Sequence, residues 1–288
     1  MSALQEQHSL EAPRRPPRKG LYILPSAFTA FNIAAGYFAI TQAFQAVGGH
    51  YHHLNNAAEA IGIAILFDFF DGGIARLTNT ASAFGRELDS LADVITFGVA
   101  PAVVGWIWGF RLLPQDFDPA LRVRVLQLGG IATFVFLMAG AARLARFNIQ
   151  INPQPKNPGR PGRKYFVGMP IPAAAGSVAA VVHLVGGQPL QWWPYSIAWA
   201  LFVLVISLLM VSTWRFFSLK GFNFREQQNF RWLIGLGGLI ALIWFFSQYV
   251  LFSLALLYIL AGVLARVSFG LRRSKVPHAP PRDEASHA

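Results

Sequence analysis

Hydrophobic and polar positions fall in long blocks along this chain rather than in a short period. No Asp, Glu, Lys or Arg occurs from Gly20 to Ala58, Val94 to Phe110, Val125 to Ala142, Tyr165 to Trp214 or Trp232 to Ala265. A helix rising about 1.5 Å per residue needs about 20 apolar residues to cross a hydrocarbon layer about 30 Å thick. The stretch from Tyr165 to Trp214 is too long for one crossing, and Gly186, Gly187, Gln188 and Pro189 break it in two. The stretch from Trp232 to Ala265 also overruns one crossing, so a tight hairpin is expected near Ser247 to Tyr249. The pattern predicts an all-α, polytopic transmembrane helical bundle of about eight spans. They are placed at 22–46, 57–76, 88–110, 125–148, 169–186, 192–213, 231–246 and 249–267, with both termini on one side.

The charges support this alternation. With the spans so placed, 21 of the 24 Lys and Arg fall on one side, and Arg111, Arg122 and Arg124 fall on the other. The positive-inside rule makes the rich side cytoplasmic, and both termini with it. The net charge of +11 therefore reflects topology and an anionic leaflet, not a nucleic-acid partner. Residues 1–20 and 271–288 are Pro-rich and polar, and are expected as disordered tails around a transmembrane domain at 21–270. The first apolar block is far longer than the roughly 7–15-residue core of a cleaved signal peptide, so none is expected. With 54% hydrophobic and 13% charged residues, neither a disordered chain nor a soluble domain fits. The absence of Cys excludes a disulfide framework, a thiolate metal site and a Cys nucleophile.

Five of the 13 acidic residues lie between positions 68 and 93: Asp68, Asp71, Glu87, Asp89 and Asp93. Asp68 and Asp71, three apart, share a face at the end of the second span, and Asp89 and Asp93, four apart, share one at the start of the third. The connection Leu77 to Arg86 makes the two spans antiparallel, so all four aspartates meet at one depth on the cytoplasmic side. Converging carboxylates repel and require positive charge. Oxygen donors without thiols or imidazoles favour a hard cation, Mg2+ or Mn2+, and four carboxylates have room for two ions. Solvated helix-end acids would leave unexplained why the remaining spans are nearly free of acids. Gly72, Gly73, Ala75 and Gly85 accompany them; small residues let membrane helices approach, and here also leave room for a ligand.

These residues carry a resemblance. Asp68-x2-Asp71-Gly72-x2-Ala75-Arg76-x8-Gly85-x3-Asp89-x3-Asp93 resembles, without a departure, the signature of the CDP-alcohol phosphatidyltransferases. Thr96 to Ala102 (TFGVAPA), Arg143 to Asn148 (RLARFN), Gly168 to Ala173 (GMPIPA) and Val211-Ser212-Thr213 with Lys220 are similar to its phosphatidylserine synthase branch. Val94 stands where phosphatidylglycerophosphate synthases usually carry Lys. The resemblance implies an integral-membrane enzyme, in a bacterial inner membrane and often homodimeric, whose active site faces the cytoplasm. It implies transfer of the phosphatidyl group of CDP-diacylglycerol to the hydroxyl of L-serine, with release of CMP. It also implies two divalent cations held by Asp68, Asp71, Asp89 and Asp93, with Asp93 the general base as well. Asp68, Gly72, Ala75, Arg76 and Gly85 would shape the nucleotide pocket.

Arg143 and Arg146, three apart at the end of the fourth span, can face one point and bind a phosphate or the serine carboxylate; positive-inside anchoring is the alternative. Asn32 and Asn148 could line the headgroup pocket or make interhelical hydrogen bonds. The segment Asn152 to Gly162 reads as a loop beside the site. Acceptors such as glycerol 3-phosphate or an inositol would keep the chemistry. A cation transporter using the Asp cluster is the reading from another class; against it, all four acids lie at one side of the bilayer. His50, His52 and His53 lie on the far side in a Gly-rich turn, where a structural loop outweighs a metal site. Trp192, Trp193, Trp244 and Tyr249 read as interface belts.

Overall fold

The computed structural model describes residues 23–78, 83–114, 118–149, 165–217 and 230–273. Its elements in order are α1 (Ile23–Ala46), α2 (His52–Thr78), α3 (Ala83–Asp93), α4 (Ala100–Trp106), α5 (Pro119–Ile149), β1 (Tyr165–Val167), α6 (Ile171–Leu184), α7 (Trp193–Val211), β2 (Arg215–Phe217) and α8 (Phe230–Arg273). The helical bundle expected from the charge-free blocks is what the chain forms. Among the described residues, four helical stretches are long and apolar enough to cross a membrane: Phe84–Arg111, Pro119–Ile149, Trp193–Val211 and Gly237–Ser268. α6 is shorter, at 14 residues.

Small side chains bring α1 and α2 together. Ala35, Ala39, Ala43 and Ala46 of α1 are buried, as are Leu54, Ala57, Ile61 and Ala64 of α2. Spacing of three and four stacks such residues on one helix face, and the missing bulk lets the backbones approach. The large side chains Phe97, Trp108, Phe110, Phe136 and Trp199 fill the space between α4, α5 and α7. Phe38, Phe44, Phe134, Leu201, Leu208 and Trp244 point outward, as a lipid-facing surface requires.

α3 and α4 belong to one rod, interrupted by wide π-helical turns at Val94–Val99 and Ile107–Arg111. In the first, the Ala100 N–H bonds to the Ile95 carbonyl, five residues back. Pro101 supplies a reason, since it has no N–H to give the Phe97 carbonyl. Such turns strand carbonyl groups that a bilayer cannot solvate. Side chains of α7 take up two of them near the second turn. Trp199 Nε1 donates to the Gly105 carbonyl at 2.9 Å, and Ser196 Oγ donates to the Gly109 carbonyl at 2.7 Å.

Two features differ from the sequence expectation. The expected loop from Leu77 to Arg86 shrinks, because α2 runs on to Thr78 and α3 begins at Ala83. The added residues, Leu77–Thr78 and Ala83–Arg86, include polar and charged side chains, so an apolar stretch ends before the helix does. No loop separates the last two expected spans: α8 stays helical through Ser247–Tyr249 and departs from helical geometry at Phe246 (φ −136°, ψ 37°). The half before this kink is largely exposed, whereas the half after it packs on α6 and β2. At the same level His183 of α6 ties three helices, with Nδ1 2.8 Å from Asn55 Oδ1 of α2 and Nε2 2.9 Å from Ser247 Oγ of α8.

The strands were not foreseen, being too short to show an alternation. They pair antiparallel, Tyr165 with Phe217, Phe166 with Phe216 and Val167 with Arg215. Gly168 turns the chain from β1 towards α6 with φ +74°, and its N–H donates to the Trp214 carbonyl at 2.8 Å. A Cβ there would stand 2.8 Å from the Ser212 carbonyl oxygen. Gly168→Ala combines a left-handed backbone with that clash and is expected to cost about 2 kcal/mol. A lowered melting temperature in detergent is the outcome to look for, and an unchanged one would show that the bend relaxes.

Candidate active site

Asp68 lies ten residues before the end of α2 and Asp93 ten residues after the start of α3. One carboxylate oxygen each from Asp68, Asp89 and Asp93 lies within 4.8 Å of the other two. Oxygens on opposite sides of an octahedral Mg2+, each about 2.1 Å from it, are themselves about 4.2 Å apart, so a small inward shift of these side chains brings all three onto one ion. Three half-buried carboxylates with no sulfur or imidazole suit a hard cation. Among the described residues, this is the one cluster that gathers three metal-ligating side chains so closely.

Asp71, Gly72, Ala75 and Arg76 follow Asp68 in α2, but their side chains lie outside the described residues. Gly85 is half-buried in the first turn of α3. Lys156, Arg160, Arg163, Lys164 and the expected loop Asn152 to Gly162 are also outside. His52 and His53 open α2, at the opposite end from Asp68, and His53 Nδ1 lies 2.6 Å from Gln42 Oε1.

Asp93 directly precedes the first π-helical turn, and α1 holds that turn in place. Thr96 Oγ1 donates to the Asn32 carbonyl at 2.8 Å. One turn along α1, Gly36 meets Thr96 so closely that a Cβ would stand 2.6 Å from its Oγ1 and 2.8 Å from its Cα. Asn32 is 2% exposed, and its Oδ1 has no hydrogen-bond partner.

The end of α5 closes the site from another side. Arg143 is 7% exposed, with Nε unpartnered, and its guanidinium is within electrostatic reach of Asp93, Arg146 and Tyr258. Arg146 is engaged otherwise: Nη1 donates to the Val211 carbonyl at 3.1 Å and Nη2 to the Val167 carbonyl at 3.4 Å, bracing α7 against β1. The exposed Asn148 donates through Nδ2 to Ser90 Oγ at 3.1 Å, between Asp89 and Asp93 in sequence. A buried polar atom without a partner costs about 1–3 kcal/mol. Arg143 carries one within electrostatic reach of Asp93, and Asn32 carries one on the turn of α1 that holds Thr96, as expected where a polar ligand completes the set. Sequence reasoning missed Gly36, Ser90 and Tyr258. Gly36 and Tyr258 are buried in charge-free blocks with no local signal, and Thr96 was noted only as part of a resembling stretch.

The chain resembles known proteins over more than half of its length. The family model of the CDP-alcohol phosphatidyltransferases matches residues 22–206. The CDP-diacylglycerol–serine O-phosphatidyltransferase of Helicobacter pylori is 33% identical over 204 residues, covering 71% of this chain and 76% of that protein. The protein of that name in Saccharomyces cerevisiae is 36% identical over 158 residues, 54% of this chain and 52% of the relative. The one in Mycobacterium leprae is 33% identical over 202 residues, 69% and 60%. The chain thus spans about half the length of the yeast relative and three quarters of the Helicobacter one. With three of the four signature acids gathered at one point and the family match running from the start of α1 into α7, this chain belongs to the CDP-alcohol phosphatidyltransferase family.

Proposed function

We propose that this membrane protein transfers the phosphatidyl group of CDP-diacylglycerol to the hydroxyl of L-serine, forming phosphatidylserine and releasing CMP. The observation that carries the reading is the meeting of Asp68, Asp89 and Asp93 within reach of the buried Arg143, whose Nε has no partner. The names of the relatives in Helicobacter, yeast and Mycobacterium support serine as the acceptor.

Asp68, Asp71, Asp89 and Asp93 would hold two divalent cations, Mg2+ or Mn2+. When bound, these neutralise the pyrophosphate and the charge that develops on the departing CMP. Asp68, Gly72, Ala75, Arg76 and Gly85 form the nucleotide pocket. Asp93 takes the proton from the serine hydroxyl as its oxygen bonds to the β-phosphorus and the bond from that phosphorus to the CMP oxygen breaks. Arg143 receives the serine carboxylate through its guanidinium fork. Asn32 Oδ1 accepts from the serine ammonium, Asn148 lines the entrance, and Arg146 keeps α7 and β1 in place around the pocket. The charge asymmetry between the two sides supports a cytoplasmic active site, in a bacterial inner membrane, and the reading carries a homodimer with it.

The test is CMP release by purified protein in detergent, with CDP-diacylglycerol and one alcohol at a time. Release is expected with serine, to be lost on chelation with EDTA and restored by Mg2+ or Mn2+. Release with glycerol 3-phosphate or an inositol alone would keep the chemistry and overturn the acceptor. Full activity in EDTA would overturn the metal requirement.

A further inference from the structure

The matched family region ends at residue 206, yet α8, starting at Phe230, reaches the site. Tyr258 of α8 lies within electrostatic reach of Arg143. Its ring rests against Phe216 of β2, with centroids 5.6 Å apart. Phe216 is fully buried, and four residues beyond Tyr258, on the same face of α8, Gly262 gives it room. Phe216 pairs with Phe166 in the sheet, and the next residue of β1, Val167, accepts from Arg146. A closed circuit therefore runs from Arg146 through both strands and Tyr258 back to Arg143, three residues away on α5. The packing on Phe216 fixes the ring of Tyr258.

We propose that Tyr258 is a positioning residue of the acceptor site, keeping the Arg143 guanidinium turned towards an incoming carboxylate; this deepens the serine reading above and rests on it. The reason lies in what surrounds Arg143. Asp93 attracts the guanidinium, while Arg146 repels it and is itself occupied by two backbone carbonyls. Left to these two, the Arg143 side chain would close on Asp93 and neutralise the carboxylate that is to take the proton. A neutral hydroxyl on a rigid ring offers a competing hydrogen-bond acceptor without adding a charge to the pocket. Part of the fork then stays available to a carboxylate. The selecting device is thus built in part from a helix outside the matched region.

The test measures kcat and both KM values on the full chain in detergent. Tyr258→Phe keeps the ring and its packing on Phe216 while removing the hydroxyl. The serine KM is expected to rise about tenfold, the effect of one hydrogen bond to a charged group. kcat is expected to fall as well, since the released guanidinium is drawn to Asp93, while the CDP-diacylglycerol KM is expected to stay within about twofold. In an Arg143→Lys background the same change is expected to add nothing, since both act through one contact. Phe216→Leu loosens the packing but leaves the hydroxyl, and is expected to lower the melting temperature without a selective rise in serine KM. If Tyr258→Phe does not fold, Tyr258→Gln, which keeps an acceptor, is expected to hold the serine KM within about threefold, and a larger rise would count against the proposal. An unmoved serine KM in Tyr258→Phe, a parallel rise in both KM values, or full additivity with Arg143→Lys would overturn it. Wild-type protein that uses an acceptor without a carboxylate would overturn the serine reading and this inference together. Serine-dependent wild type with an unmoved Tyr258→Phe would overturn the inference alone.

Discussion

Asp93→Asn is expected to lower serine-dependent CMP release by about a thousandfold or more, measured at saturating substrates and metal. The substitution keeps the volume and removes both the negative charge and the proton acceptor. General-base catalysis alone contributes about 10²–10⁴-fold, and loss of a metal ligand adds to that. The direction of the stability change separates this from misfolding. Asp68, Asp89 and Asp93 bring three oxygens within 4.8 Å, and like charges so placed repel. In EDTA the variant is therefore expected to melt at the wild-type temperature or above it. Activity within tenfold of wild type would remove Asp93 from both roles, and a fall in melting temperature with EDTA present would make its role one of packing.

The second large effect is expected at a residue that carries no charge and no side chain. Gly36→Ala would set a methyl 2.8 Å from the Thr96 Cα, a backbone atom that no rotamer change can move. α1 and the π-helical turn must then part, and Asp93, three residues before Thr96, moves with the turn. Displacement of a reacting group by about 1 Å can cost about a hundredfold in rate. Overpacking of a buried contact costs about 1–3 kcal/mol. Gly36→Ala is therefore expected to lose about a hundredfold in kcat together with melting temperature. Thr96→Ala is not expected to rescue it, because the blocking atom is the Cα. Rescue, or a kcat within a few fold of wild type, would show that the separation between α1 and this turn does not set the position of Asp93.

The parts of this protein that could be read in advance are those recorded in local spacing. Charge-free blocks located the helices because burying a charge in hydrocarbon is costly whatever the tertiary arrangement. The three- and four-residue spacings placed the signature acids on helix faces before any packing was known. Where the chain departs, the cause is non-local or lies outside the apolar blocks. α2 and α3 outrun the apolar stretches because helix formation does not stop at the membrane surface. The strand pair β1·β2 consists of two three-residue segments whose partners lie about 50 positions apart, so neither shows a pattern alone.

The same division runs through the site. Composition and spacing were enough for a membrane bundle and for a carboxylate cluster, because desolvation cost and helix period act residue by residue. Arg143 and Arg146 could not be told apart in that way, being neighbours of one type on one helix. Packing separates them, giving Arg146 two carbonyls and leaving Arg143 Nε unsatisfied near Asp93. The approach of Gly36 to Thr96 and of Tyr258 to Arg143 likewise arises only when distant segments meet, since a close contact belongs to a pair of residues and neither member carries it alone.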